Sequence, residues 1–217
     1  MAKLYDLHPN NPQSRIIEVI VKDLKQGAIM LYPTDTVYAI GCDLNHKSAV
    51  QRIKQLRQLF NNKCLVCLCS SLSKIADYAF VSDKAYRIMK RVIPGPYTFL
   101  LPGTKLVSKL MINPKQKNIG IRVPDSNICQ MILEGLDNPI VSSSIYSLNK
   151  KREFLSIALE KVELFNILDS QVDLIIDNKL ESGSEVSTIL DMTSDNPIVV
   201  RQGLGWDELQ SWITLMV

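Results

Sequence analysis

The stretch Leu31-Tyr32-Pro33-Thr34-Asp35-Thr36-Val37-Tyr38-Ala39-Ile40-Gly41-Cys42-Asp43 constrains this chain more than any other. Two apolar runs, 28–32 and 37–42, flank a Pro-Thr-Asp-Thr break. Their length and residue types are those of buried strands. Pro33 has no N–H for a ladder, so regular pairing stops there. A short turn with two hydroxyls and a carboxylate therefore joins two core elements. Such residues bond their own backbone in ordinary turns. A turn of this kind also mounts binding groups, because the core positions them and solvent reaches them. Spacing alone leaves both readings open.

An apolar content of 46% over 217 residues is enough for one full core. No linker-like segment separates two domains, so 1–217 reads as a single domain. No apolar run approaches the roughly 18 residues of a membrane span. The first eight residues carry no signal-peptide pattern, so a cytoplasmic protein is expected. Five cysteines at irregular spacing are not a disulfide framework. In Cys64-Leu65-Val66-Cys67-Leu68-Cys69 apolar residues intervene, and alternation puts Cys64 and Cys67 on opposite strand faces. Buried free thiols fit this better than a metal site.

Apolar residues at 16, 17, 19, 20, 21 and 24 predict a helix over 14–26, stopped by Gly27. Strands follow at 28–32 and 37–42, then a basic helix at 48–59, a loop at 61–63 and a buried strand at 64–69. Helices are expected at 71–77 and 82–92, and strands at 97–102 and 118–123, with a basic loop at 103–117 between them. Asp125 or Ser126 caps a helix to about 135. A strand at 139–143, a helix near 154–167, strands near 172–176, 187–192 and 197–201, and a helix at 207–215 complete the chain. This order implies an α/β fold, one twisted sheet of mixed parallel and antiparallel strands flanked by helices.

The net charge of +3 hides a segregation. Residues 47–122 hold fifteen Lys and Arg against Asp77 and Asp83, a balance of +13. Residues 123–217 balance at −9. So basic a block suits an anionic partner such as RNA or a nucleotide. The alternative is that basic and acidic helix surfaces mix once the chain folds. The common phosphate loops are missing, and His8 and His46 have no ligand-like spacing. Anion binding must then come from Lys, Arg, hydroxyls and backbone N–H groups.

Eight segments occur in order: the Pro-Thr-Asp-Thr break, the basic helix, the buried strand, Pro94-Gly95-Pro96-Tyr97-Thr98, Ile121-Arg122-Val123-Pro124, Ser142-Ser143-Ser144, Ser187-Thr188-Ile189-Leu190-Asp191, and Arg201-Gln202-Gly203. Together they resemble the YrdC-like superfamily, most closely its YciO branch, over about 14–205. The resemblance implies a positively charged concave surface that binds nucleotides and duplex RNA or tRNA. Its catalytic members make L-threonylcarbamoyladenylate from threonine, bicarbonate and ATP. It makes Thr34, Thr36, Arg57, Thr98, Arg122, Ser142, Ser144, Ser187 and Arg201 candidates for the nucleotide and threonine site. Lys54, Lys63, Lys105, Lys109, Lys115 and Lys117 become candidates for RNA contacts. No tightly bound cofactor is expected; ATP and Mg²⁺ are implied if the chain is catalytic.

Two departures stand out. The catalytic K-x-R motif reads Arg57-Gln58-Leu59 here, and S-x-N reads Ser144-Ile145-Tyr146. Losing one donor from a transition-state clamp costs on the order of 10²–10³ in rate. The sequence therefore points first to a nucleotide- and RNA-binding protein. A weakened synthase comes second, and a small-molecule binder without catalysis third.

Overall fold

The computed structural model describes residues 1–59, 65–107, 111, 117–145, 161–181, 183–194 and 196–214, with 57–59 and 212–214 as backbone only. The first half contains β1 (Lys3–Asp6), α1 (Ser14–Lys25), β2 (Met30–Tyr32), β3 (Ala39–Asp43), α2 (Lys47–Leu59), β4 (Val66–Leu68), α3 (Leu72–Tyr78) and α4 (Asp83–Val92). The second half contains β5 (Tyr97–Pro102), β6 (Asn118–Arg122), α5 (Asn127–Leu136), β7 (Ile140–Ser144), α6 (Lys161–Leu168), β8 (Leu174–Asp177), β9 (Thr188–Asp191), β10 (Ile198–Arg201) and α7 (Trp206–Thr214).

The ten strands among the described residues join one sheet in the order β1-β8-β2-β3-β7-β4-β6-β5-β9-β10. Four pairings are parallel: β1 with β8, β2 with β8, β4 with β6 and β5 with β9. The other five are antiparallel. The mixed α/β sheet expected from the sequence is present. Strand β1 was not anticipated. Its side chains are mostly exposed, so it has no apolar signature, and backbone pairing with β8 holds it. Ser126, rather than Asp125, caps α5 by accepting from Cys129 N at 3.4 Å. The expected loop at 61–63, and 154–160 of the expected sixth helix, lie outside the described residues.

Side chains alternate strictly across the strands. Leu31, Ile40, Cys42, Cys67, Phe99, Ile121 and Val141 enter one buried cluster, together with residues of α2, α3, α4, α6 and α7. Met30, Tyr32, Ala39, Leu68 and Ile140 enter a second cluster, under α1 and α5. The two clusters are the two faces of the sheet. Helices α1 and α5 cover the β8–β2–β3 side of the second face, and its β4–β6–β5 side presents polar residues. Eight cations of the basic block with described side chains lie on α2, α3 and α4, which pack against the first face.

Cys42, Cys67, Cys69 and Cys129 are buried and free; Cys64 lies outside the described residues. Burial pushes the thiols of Cys42, Cys69 and Cys129 up to about 12, so they stay protonated at neutral pH. Among the described residues no helix is long and apolar enough to cross a membrane.

Gly41 sits where β2, β3 and β7 crowd together. A Cβ there would lie 2.7 Å from Tyr32 Cε1 and 2.9 Å from Ile140 Cγ2. Gly41→Ala should therefore lower the unfolding free energy by about 1–3 kcal/mol, as overpacking of a close-packed site does. Urea unfolding of the two proteins measures this.

Candidate functional site

Pro33 ends β2, and the chain turns through Thr34, Asp35 and Thr36 before β3. This turn holds itself together. Thr34 Oγ1 donates to Val37 O at 2.7 Å and accepts from Thr36 N at 3.1 Å. It also lies 3.0 Å from Thr36 Oγ1. The single Thr34 hydroxyl proton goes to Val37 O, so Thr36 donates to Thr34. The Thr34 hydroxyl thus has its donor and both acceptor positions in use. Thr36 Oγ1 accepts in turn from Arg122 Nη1 at 3.1 Å.

Arg122, at the end of β6, is held on three sides. Besides Thr36, its Nη2 donates to Asp35 Oδ1 at 2.6 Å and its Nε to Gly95 O at 3.3 Å. The side chains of Arg122 and Asp35 are only 6% and 9% exposed. A charged pair this deep survives through direct contact and supporting hydrogen bonds. Among the described residues Asp35 Oδ2 makes no hydrogen bond, so the carboxylate is only half satisfied. Asp35 was not among the site residues expected from the sequence. It lay in the opening stretch, but nothing in spacing tied it to an Arg 87 residues later.

Strand β7 brings Ser142 and Ser144 to the same sheet face. Tyr32 OH donates to Ser142 Oγ at 2.7 Å. Burial pushes the Tyr32 phenol well up, so Tyr32 stays a donor, and the Ser142 proton is available to the pocket. On the other side Thr98 Oγ1 lies 3.0 Å from Ser187 Oγ. Arg201 donates from Nε to Ser187 O at 2.9 Å and from Nη2 to Ser187 Oγ at 3.0 Å. A bulge between Val199 and Arg201, against Leu190 and Ile189 of β9, turns Arg201 to this face. Thr188 is fully buried and ties the next turn, donating to Leu204 O and accepting from Gly203 N, both at 3.0 Å.

These groups line one pocket of about 560 Å³, including the solvent at its mouth. Its polar wall is Thr34, Thr98, Arg122, Ser142, Ser144, Ser187 and Arg201; Ala39, Val66, Leu68, Pro124 and Ile189 form the apolar wall. Among the described residues the lining holds two guanidinium groups and no carboxylate, with Asp35 balancing Arg122 from behind the wall, and such donors suit an anionic ligand. A divalent ion would therefore be held through a ligand's own phosphate oxygens. The segment before Ser187 presses on the threonine turn, and a Cβ at Gly183 would collide with the Thr36 carbonyl.

The structure thus gathers seven of the nine expected nucleotide-site residues in one pocket and places Thr36 behind Arg122. The Arg57 side chain lies outside the described residues, as do Lys63, Lys109 and Lys115. Lys54 is half-buried on α2, while Lys105 and Lys117 are exposed.

With this geometry in place, comparison with known proteins is decisive. The model of the Sua5/YciO/YrdC family, described as telomere recombination, matches residues 22–203. The chain belongs to this family. It is 40% identical over 205 residues to the uncharacterized protein YciO of Escherichia coli strain K12, covering 94% of this chain and 97% of that one. The crystal structure of E. coli YciO superposes with a TM-score of 0.84 at 38% identity, covering 94% of this chain and 97% of that chain. A threonylcarbamoyl-AMP synthase of Vibrio vulnificus strain YJ016 is 27% identical over 190 residues, covering 86% of this chain and 98% of the relative.

Removing Asp35 alone leaves the Arg122 charge buried without its partner. Asp35→Ala should lower the unfolding free energy by about 3–5 kcal/mol. Asp35→Ala combined with Arg122→Met should lose less than Asp35→Ala alone. Equal losses in chemical denaturation would mean that the pair is not the source of the effect.

Proposed function

We propose that this protein binds an adenine nucleotide, ATP or AMP, in the pocket and binds RNA, either tRNA or duplex RNA, as a YciO-type member of its family working in the cytoplasm. The observation that carries this reading is the pocket lining. Arg122 and Arg201 face a hydroxyl-rich wall that contains no carboxylate among the described residues. Each guanidinium is pinned by hydrogen bonds before any ligand arrives, so little ordering is left to do on binding. L-Threonine fits the same reading, because its carboxylate and hydroxyl match these donors. The RNA part rests on the basic block and the family resemblance.

Calorimetric titration with ATP and AMP tests the nucleotide part. Arg201→Ala should weaken binding by roughly tenfold or more, the size of a lost charge-assisted contact. No heat with either nucleotide would overturn the reading. RNA affinity should fall steeply with added salt, since phosphate contacts release counterions.

A second reading has its own support in the Vibrio synthase. In that reaction threonine, bicarbonate and ATP give threonylcarbamoyl-AMP, pyrophosphate and water. The protein would hold the carbamate beside the α-phosphate while the arginines stabilise the developing charge. Mg²⁺ would ride on the phosphates and neutralise them. Leu59 and Tyr146 stand where the catalytic motif carries polar groups, so turnover should be weak. Leu59→Arg together with Tyr146→Asn should raise threonine- and bicarbonate-dependent pyrophosphate release. No turnover in either protein would remove this second reading and leave binding alone.

A further inference from the structure

Among the described residues the basic block does not line the pocket as one patch. Of the cations whose side chains are described, Arg122 faces the cavity, and eight lie on α2, α3 and α4 across the sheet. Some of these gain acidic partners on folding. Arg52 binds Asp173 at 2.9 Å, and Lys74 binds Asp137 at 3.0 Å. Helix α4 carries four cations, Lys84, Arg87, Lys90 and Arg91. It buries Ala85, Ile88, Met89 and Val92, and exposes Tyr86, Arg87, Lys90 and Arg91. Lys84 Nζ meets an amide oxygen, Asn196 Oδ1, at 3.4 Å. Lys90 Nζ lies 6.0 Å from the centroid of the Tyr86 ring, which is itself 46% exposed. Residues 86, 87 and 90 are three and four apart, so they form one stripe on the helix surface. The one acid of α4, Asp83, sits in its first turn, where the helix dipole favours it, three and four residues before Tyr86 and Arg87 at the N-terminal end of that stripe, which leaves Lys90 at the other end a full turn beyond it. Exposed Lys105 lies on a segment tied to α3, since Thr104 N donates to Tyr78 O at 2.9 Å.

We propose that the Tyr86–Arg87–Lys90 stripe of α4 docks the phosphate backbone of RNA, on the sheet face opposite the pocket. This rests on the RNA-binding reading above. Cations with an aromatic ring among them track a polyanion and offer a base a stacking surface. An anionic membrane would need a continuous apolar face to insert, and this stripe offers a single ring. The sheet stands between the docked RNA and the pocket, so RNA and nucleotide bind at the same time without competing.

The test measures tRNA and duplex RNA binding by fluorescence anisotropy over a salt series, with ATP binding by calorimetry. Arg87→Glu/Lys90→Glu should weaken RNA binding by about tenfold or more and flatten the log–log salt slope by about 1.5. The milder Arg87→Gln/Lys90→Gln should lose an intermediate amount. ATP affinity should be unchanged in both, and saturating ATP should not displace RNA. Arg15→Glu/Lys22→Glu makes the same charge change on exposed positions of α1, against the other sheet face. It should alter RNA affinity by about twofold or less.

Wild-type RNA binding that survives the α4 reversal overturns this proposal and leaves the RNA-binding reading standing. So does equal weakening by the α1 reversal, or displacement of RNA by ATP. Wild-type protein that binds phosphatidylserine vesicles and no RNA at low salt overturns both.

Discussion

The contact between Asp35 and Arg122 joins three parts of the chain that are far apart in sequence. Asp35 stands on the turn between β2 and β3, Arg122 ends β6, and Gly95 belongs to the rigid turn before β5. With the pair in place, Thr36 has a donor to accept from, Thr34 closes the turn on itself, and the guanidinium has a fixed direction. A charge buried this deeply is tolerated only in such company. The pocket wall, the turn and the end of β6 therefore stand or fall together.

The two sheet faces divide the remaining work. Period-two alternation sends one set of strand residues to a large core under five helices and the other to a smaller core under two. The smaller covering leaves β4, β6 and β5 with an open face. That opening is the pocket, and its polar lining is possible because no helix among the described residues buries it. The same division carries most of the basic block to the far side. A charge balance along the chain thus says little about which surface will carry it.

Much of the fold was legible because its signals are local. Ile17, Ile20, Val21 and Leu24 keep helical spacing, and they are the residues α1 buries. The apolar runs around Pro33 became β2 and β3, as the break in the ladder required. Strand β1 was not legible, because an exposed edge held by backbone pairing needs no particular side chains. For the site, family resemblance pointed to Thr98, Arg122, Ser142, Ser144, Ser187 and Arg201, which come from separate strands and the segments beside them. No spacing rule could have joined them. The hydrogen-bond roles were hidden too. Thr34 reads as a free hydroxyl in the sequence and is fully engaged in the structure. Asp35 reads as one acid in a turn, and Tyr32 as a core aromatic; each fixes a pocket residue.

The bulge in β10 has a consequence of its own. Val199 faces Leu190 and Arg201 faces Ile189, so Val200 is the one residue that the β9 partner does not match. That extra residue, and not the identity of its neighbours, decides which way Arg201 points. A chain shortened by one residue there would keep every side chain of the cavity in its sequence and still lose a positive charge from its wall. Insertions and deletions on this edge strand can therefore retune the cavity's electrostatics while leaving its composition untouched.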